Sequence, residues 1–147
     1  MKTIILFYSH SGNTRFIANK KAVEAGADIE EIKEIKKPSI LTGTLRAIRN
    51  AKTGIVPIKS PLADYDNIII MSPVWAARPV SAINSVFDYL PAGKKVEIYM
   101  VSGGGGTKKS AANTRALITG KGCEVTVYID LKAKKENDTV TYDTLLK

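Results

Sequence analysis

The chain has 147 residues, of which 44% are apolar and 24% are charged, and this balance predicts one globular domain over residues 1–147. No apolar run approaches the roughly 18 residues of a membrane span, and the single cysteine excludes an internal disulfide framework. The net charge of +8 comes from scattered lysine pairs, which indicates a solvated basic surface and no nucleic-acid partner.

The predicted elements begin at residue 4, and no small-residue cleavage pattern accompanies this first apolar run, so we expect no signal peptide. The single cysteine favours a reducing, cytoplasmic location. Residues 4–8, 68–71 and 96–101 are short, apolar runs, typical of strands that a parallel sheet buries on both faces. Residues 123–131 alternate apolar and polar side chains, which predicts an edge strand with one wet face. Residues 28–37 carry isoleucines at helical spacing, but their place after a helix favours an edge strand.

Four helical patterns lie between the predicted strands. The first covers residues 13–25 and the last covers residues 109–119. The two middle helices are predicted from apolar stripes at helical spacing: Leu41, Leu45 and Ile48 with Ser39 as N-cap, then Val80, Ile83, Phe87 and Leu90 with Pro79 in the first turn.

This alternation of strands and helices predicts a three-layer α/β/α fold, with helices on both faces of a doubly wound five-stranded parallel sheet. Ligands of such sheets bind beyond the carboxyl ends of the strands. The loops at residues 9–14, 72–79 and 102–107 follow the three apolar strands and are polar or Gly-rich. We therefore expect them to lie together on one rim of the sheet.

The first loop, Ser9–Thr14, has the composition of an anion site. Amide N–H groups at the start of a helix lack internal acceptors, and the helix dipole adds positive charge there. Gly12 permits close backbone approach, and the neighbouring hydroxyl and amide side chains add neutral donors. From the loop alone, a phosphate site and a capped turn that binds nothing both stay open.

Other chemistries fit this loop less well. A P-loop ends in Gly-Lys-Ser/Thr and a dinucleotide fingerprint reads Gly-x-Gly-x-x-Gly, and neither follows the first strand. A receiver domain would carry acidic residues where Ser9 and Ser72 stand. A serine nucleophile needs a base, and His10 is the only histidine and lies next to Ser9 in sequence. We interpret His10 as a loop residue, and we predict no metal site.

Three motifs together resemble those of the flavodoxin-like FMN-binding proteins. "YSHSGNTRFIA" is similar to the phosphate-binding loop of that family, and "DNIIIMSPVWAARPVSAI" to its third strand and the following flavin loop. "VEIYMVSGGGG" resembles its fourth strand and Gly-rich flavin loop. The resemblance runs in order over about residues 1 to 131. It implies FMN as the cofactor and a strand order of 2-1-3-4-5.

The resemblance also implies which residues bind FMN. The phosphate would lie at Ser9, His10, Ser11, Gly12, Asn13 and Thr14, with His10 contributing its backbone. The isoalloxazine ring would lie between Pro73, Val74, Trp75 and Ala76 on one side and Ser102, Gly103, Gly104 and Gly105 on the other. A ring system stacks well on indole, and a polar, Pro-bounded loop is a poor place for a core tryptophan.

Two features depart from the family. Arg78 lies in the flavin loop, where we expect its charge to lie near the ring and favour the reduced, anionic flavin. Only residues 132–147 follow Leu131, so the last helix is predicted to be short, about two turns in "TYDTLLK", or missing. A sheet face left uncovered in this way favours a homodimer.

Three functions are compatible with these residues. The favoured one is an electron carrier that exchanges electrons with a redox protein partner. A basic stripe of Arg46, Arg49 and Lys52 is either the docking face for that partner or a solvated helix face, and both interpretations stay open. The alternative is an NAD(P)H-dependent FMN oxidoreductase that reduces a quinone or similar acceptor, with Arg15, Arg78 and Lys108 near the rim to meet a nucleotide phosphate. A scaffold without a cofactor is the third, and the intact hydroxyl loop argues against it.

Overall fold

The computed structural model describes residues 1–136 and 139–146, and from residue 135 onwards only their backbone. Its strands are, in chain order, β1 (Thr3–Phe7), β2 (Asp28–Glu31), β3 (Asn67–Trp75), β4 (Arg78–Pro79), β5 (Lys95–Ser102), β6 (Glu124–Glu136) and β7 (Thr139–Leu146). Its helices are α1 (Asn13–Ala25), α2 (Ile40–Ile48), α3 (Ser81–Val86) and α4 (Lys108–Thr119). Within these described ranges, no helix is both long and apolar enough to span a lipid bilayer.

Five strands form the parallel sheet that the sequence predicts. They follow one another as β2-β1-β3-β5-β6, which confirms the predicted order 2-1-3-4-5 and the place of β2 at an edge. The central runs Ile4–Leu6 and Ile68–Ile70 are almost wholly buried. Continuous apolar sequence suits these strands because helices cover both faces of the sheet.

The two faces of the sheet bury alternate residues of the same strand. Ile4 and Leu6 of β1 join one core cluster, which includes Ile83 of α3 and Ile118 of α4. Ile5 and Phe7 join the other cluster, which α1 covers with Ile17, Ala18 and Ala22. This arrangement confirms the three-layer α/β/α architecture.

The chain continues after β6 as a strand. The short helix considered for "TYDTLLK" is wrong, because residues 139–146 form β7, antiparallel to β6. This segment is rich in β-branched and aromatic types, which favour strands. No helix follows α4 in the part of the chain that the structure describes, so the last helix is missing, one of the two predicted outcomes. The homodimer inferred from its absence stays a prediction.

β6 differs from the predicted edge strand with one wet face. β7 pairs with it from Asp130 onwards, so β6 is an edge strand only before that residue. A bulge at Thr126 also reverses its alternation, since one extra residue turns the following side chains to the opposite face. Val125 consequently packs against one core cluster, whereas Val127 and Leu131 pack in the other.

The helix α2 forms where it is predicted, with the predicted N-cap, but the residues that it buries are not those of the predicted apolar stripe. The hydroxyl of Ser39 accepts a hydrogen bond from the amide of Thr42 at 3.3 Å, as an N-cap does. The apolar stripe that indicates this helix faces outward, and the buried residues are Gly43 and Ala47. Small residues on the inner side let the helix approach the neighbouring loop closely.

The third helix also follows its predicted stripe in part. Val80, Ile83, Phe87 and Leu90 are all buried in one core cluster. The α-helix ends at Val86, however, and continues only as a 3₁₀ turn from Phe87 to Tyr89. The placement of Pro79 in the first helical turn is wrong, because Pro79 pairs with β3 as part of β4.

Candidate cofactor site

The loops at the carboxyl ends of β1, β3 and β5 surround one cavity of about 170 Å³. Val101 at the end of β5 and Ala133 of β6 also line it, and sequence reasoning misses both. Ala133 is missed because the alternating pattern ends at Leu131, whereas the strand continues to Glu136. Nine of the fourteen predicted cofactor residues line the cavity: His10, Ser11, Asn13, Thr14, Pro73, Val74, Trp75, Ser102 and Gly103.

The other five predicted residues do not line this cavity: Ser9, Gly12, Ala76, Gly104 and Gly105. Two of them close the first turn. Gly12 has a φ of 100°, which side chains rarely adopt, and its amide donates to the Ser9 hydroxyl at 3.1 Å. Ser9 is buried, and its hydroxyl holds the turn through this hydrogen bond.

The helix α1 begins at Asn13, directly after this turn, with an N-terminus that lacks a side-chain cap. Gly12 is the N-cap, and the first turn carries no acidic residue. The first amide N–H groups of a helix have no acceptor inside it. Together with the side chains of Ser11, Asn13 and Thr14, they form a set of neutral donors suited to an anion.

The second loop is a tight hairpin. Trp75 of β3 pairs with Arg78 of β4, so Ala76 and Ala77 form the two-residue turn between them. Both alanines have a positive φ, of 51° and 58°, as in a type I′ turn, where Gly, Asn and Asp are the usual residues. The hydroxyl of Ser110 on α4 donates to the Ala77 carbonyl at 2.7 Å and fixes the turn.

Trp75 combines packing with exposure to the cavity. Its ring meets that of His10 edge-on, with centroids 5.2 Å apart and an angle of 75° between the planes. On its α2 side, Gly43 lies so close that a Cβ there would come 1.9 Å from the indole Cζ3. Trp75 is therefore held between α2 and the first loop while it lines the cavity.

The third loop is folded around the hydroxyl of Ser102. This hydroxyl donates to the Gly105 carbonyl at 2.5 Å and accepts from the Gly104 amide at 3.3 Å. Among the atoms that the structure describes, none lies within 4 Å of a Cβ placed at Gly103 or Gly105, and neither residue has a positive φ. Neither packing nor backbone conformation requires glycine there, so the missing side chains leave open space beside the cavity.

A buried network fastens the third loop to β6. The amide and hydroxyl of Thr107 donate to the Asp130 carboxylate at 3.0 and 2.6 Å. The Tyr128 hydroxyl donates to the Thr107 oxygen at 3.1 Å, and burial raises the pKa of Tyr128. Because all three side chains are buried, this network fixes where the Gly-rich loop ends.

Among the described side chains, those that line the cavity carry no carboxylate, ammonium or guanidinium group. Its one titratable side chain is His10, whose buried Nδ1 has no hydrogen-bond partner among the described residues. A buried polar atom without a partner destabilises a fold unless water or a ligand satisfies it. The lining is therefore suited to a ligand that brings its own charge and at least one polar group near His10.

Two arginines lie outside this cavity. The Arg78 guanidinium donates to the Asn50 side chain at 2.9 Å and does not line this cavity, so its expected contact with a flavin ring stays a prediction. Arg15 pairs with Glu31 at 2.5 Å, and this hydrogen bond raises the pKa of Arg15. Both arginines are thus held by partners on the adjoining segments.

The strand order, the helices on both faces and the three loops at the strand ends define a flavodoxin-like α/β fold. Comparison with solved structures confirms this predicted resemblance. No protein-family model matches the chain, and no curated protein matches it either.

Three solved structures illustrate the likeness. A flavoprotein from Lactobacillus acidophilus in complex with FMN has a TM-score of 0.74 and 23% identity, over 88% of this chain and 92% of its own. Oxidised flavodoxin 2 from Bacillus cereus has a TM-score of 0.56 and 20% identity, over 94% and 90%. A flavodoxin, WrbA-like protein from Agrobacterium tumefaciens has a TM-score of 0.55 and 17% identity, over 84% and 74%. These identities establish a common fold.

Proposed function

We propose that the protein binds FMN between the three loops and works as a flavodoxin-like electron-transfer protein. The observation that carries the proposal is the convergence of the loops on one uncharged cavity at the carboxyl ends of the strands. A similar structure, from Lactobacillus acidophilus, holds FMN. Bound FMN would supply the one- and two-electron redox chemistry that amino-acid side chains lack.

The phosphate end of FMN fits the first loop. The open N-terminus of α1 offers amide donors and the positive end of the helix dipole. Ser11 and Asn13 are exposed and line the cavity, so their side chains can donate to phosphate oxygens. Thr14 lines the cavity while almost wholly buried, so its hydroxyl would hold a phosphate away from water. These residues would bind and orient the group.

The ring end of FMN fits the other two loops. The indole of Trp75 lines the cavity, and the missing side chain of Gly103 leaves room among the described atoms for a ring to approach the backbone. A polar group on the ligand would satisfy the unpartnered Nδ1 of His10. The cavity is smaller than the roughly 300 Å³ of common ligand pockets, so it would enclose only part of FMN. The remainder would stay accessible to a redox partner.

The test begins with colour. Purified protein should be yellow, and heat should release a flavin that chromatographs as FMN. The oxidised protein, mixed anaerobically with NADH or NADPH, should keep its visible absorbance, whereas dithionite should bleach it. A colourless protein that gains no flavin absorbance after incubation with FMN would contradict the proposal.

A second function, NAD(P)H-dependent FMN oxidoreductase, is favoured by a second cavity of about 250 Å³ behind the first loop. It shares Ser9 with that loop and is lined by three cations, Arg15, Lys33 and Lys37, and by the carboxylates of Glu31 and Glu34. Because Arg15 pairs with Glu31, Lys33 and Lys37 are the cations that could meet the phosphates of a nucleotide. Fast anaerobic bleaching by NADPH would support this function. In that case Lys33→Gln and Lys37→Gln together should raise the KM for NADPH, and Lys20→Gln on α1 is the control.

A further inference from the structure

Large apolar side chains are exposed on one side of α2. Ile40 is 67% exposed, Leu41 72%, Leu45 48% and Ile48 52%. At 100° per residue these four positions share one side of the helix, and we call them the α2 patch. A cluster of this kind marks an interaction surface more often than scattered apolar residues do.

The α2 patch lies on the helix that contacts the proposed flavin site. On its inner side, α2 buries Gly43 and Ala47, and Gly43 packs directly against the indole of Trp75. Just beyond the C-terminus of α2, Asn50 accepts a hydrogen bond from Arg78, which belongs to the same β3–β4 hairpin as Trp75. Only α2 would therefore separate a partner bound to the patch from Trp75, which lines the cavity.

The patch lies in the most one-sidedly charged part of the sequence. Residues 36–56 contain no Asp or Glu, and their cations are Lys36, Lys37, Arg46, Arg49 and Lys52. Two of these are compensated, since Arg46 lies 3.8 Å from Glu34 and Lys52 lies 2.6 Å from Asp88. Among the side chains that the structure describes, Lys36, Lys37 and Arg49 are exposed and have no carboxylate within 4.0 Å.

We propose that the α2 patch docks an acidic electron-transfer protein whose own surface has an apolar centre ringed by carboxylates. This inference rests on the proposed function, because it gives the partner that would exchange electrons with FMN. Charge complementarity selects this occupant over a second copy, which would bring the same uncompensated cations against Lys36, Lys37 and Arg49. The buried apolar centre would supply affinity, and the cations would supply fast association.

The probe is a plant-type [2Fe–2S] ferredoxin, a small acidic electron carrier, titrated into the protein by calorimetry. Leu45→Gln and Ile48→Gln should each weaken binding about fivefold, because each removes an apolar contact from the centre of the interface. Val23→Gln is the matched control, since Val23 is an apolar residue 85% exposed on α1. Arg49→Gln should reduce the loss of affinity that added salt causes.

Calorimetry measures binding without electron transfer, so it can also be carried out on FMN-free protein. A failure of the docking proposal can therefore be distinguished from a failure of the proposal that the protein binds FMN. Equal affinities of Leu45→Gln and Val23→Gln would overturn the docking proposal, as would no binding of ferredoxin. A dimer by light scattering that Leu45→Gln dissociates would assign the patch to a second copy instead. Binding of the unaltered protein, but not of Leu45→Gln, to vesicles containing phosphatidylglycerol would assign it to an anionic membrane.

Discussion

The indole of Trp75 packs directly against the backbone of Gly43, with no room between them for a methyl group: a Cβ at Gly43 would lie 1.9 Å from the ring. This contact joins α2 to the hairpin that lines the candidate cofactor cavity. It explains why glycine stands inside a helix, where it is otherwise unfavourable by about 1 kcal/mol relative to alanine.

Gly43→Ala should therefore destabilise the protein, by about 2 kcal/mol of unfolding free energy, because overpacking outweighs the gain in helix propensity. Trp75 is the only tryptophan, so its fluorescence reports both the unfolding in urea and a displaced ring. Gly105→Ala is the control, since none of the described atoms lies within 4 Å of a Cβ there. A Gly43→Ala variant more stable than the unaltered protein would show that α2 does not pack on Trp75.

The turn at Ala76 and Ala77 should be improved by glycine. Both residues have a left-handed backbone, which costs an L-residue with a Cβ roughly 1 kcal/mol. Ala76→Gly should raise the unfolding free energy by about that amount, measured by urea unfolding. Ala112→Gly, at an exposed position in α4, should lower it by about 1 kcal/mol. Equal losses in the two variants would contradict the type I′ turn.

The network that fastens the Gly-rich loop should be sensitive to loss of the Asp130 charge. Asp130→Asn keeps the shape but replaces an acceptor of two hydrogen bonds from Thr107, so we expect a loss of about 2 kcal/mol in urea unfolding. Asp64→Asn, at an exposed carboxylate, should change stability by less than about 0.5 kcal/mol. Similar values for both variants would show that the network is not formed.

Alkaline pH should destabilise the fold through buried tyrosines. Burial, with the neighbouring Glu34 carboxylate, raises the pKa of Tyr8 above its ordinary value, so the unfolded chain loses this proton first as the pH rises. Stability is therefore retained below about pH 10 and falls above it, by up to about 1.4 kcal/mol per pH unit for each such tyrosine. Tyr8→Phe should make this fall shallower in urea unfolding at several pH values. Tyr89→Phe, at a half-exposed ring, is the control, and equal slopes in both would contradict the assignment.

The central sheet and the rim of loops could be predicted from sequence because their signals are local. Continuous apolar runs mark β1 and β3, and Gly12 marks the start of α1, which covers residues 13–25 as predicted. Parallel strands end at one edge of a sheet, so the loops that follow them must meet. The local strand signals and the shared edge of the parallel strands together predict that Ser11, Trp75 and Gly103 line one cavity, as they do.

The remaining features depend on contacts that no local pattern carries. The bulge at Thr126 reverses an alternation that reads as regular in sequence, and residues 139–146 form a strand because β6 offers a free edge. The apolar stripe of α2 would ordinarily predict the buried face. It faces outward instead because Trp75 requires a residue without a side chain, Gly43, on the inner side.

The central claim is that the three loops bind FMN, and titration of flavin-free protein with FMN tests it most directly, by the quenching of flavin fluorescence. We predict a Kd of about 1 μM or tighter. Ser11→Ala with Thr14→Ala, and separately Gly103→Val, should each weaken binding at least tenfold, through lost phosphate donors and a filled ring space. Asn19→Ala, exposed on α1, should bind as the unaltered protein does. No saturable quenching, or the same Kd in all four proteins, would contradict the claim.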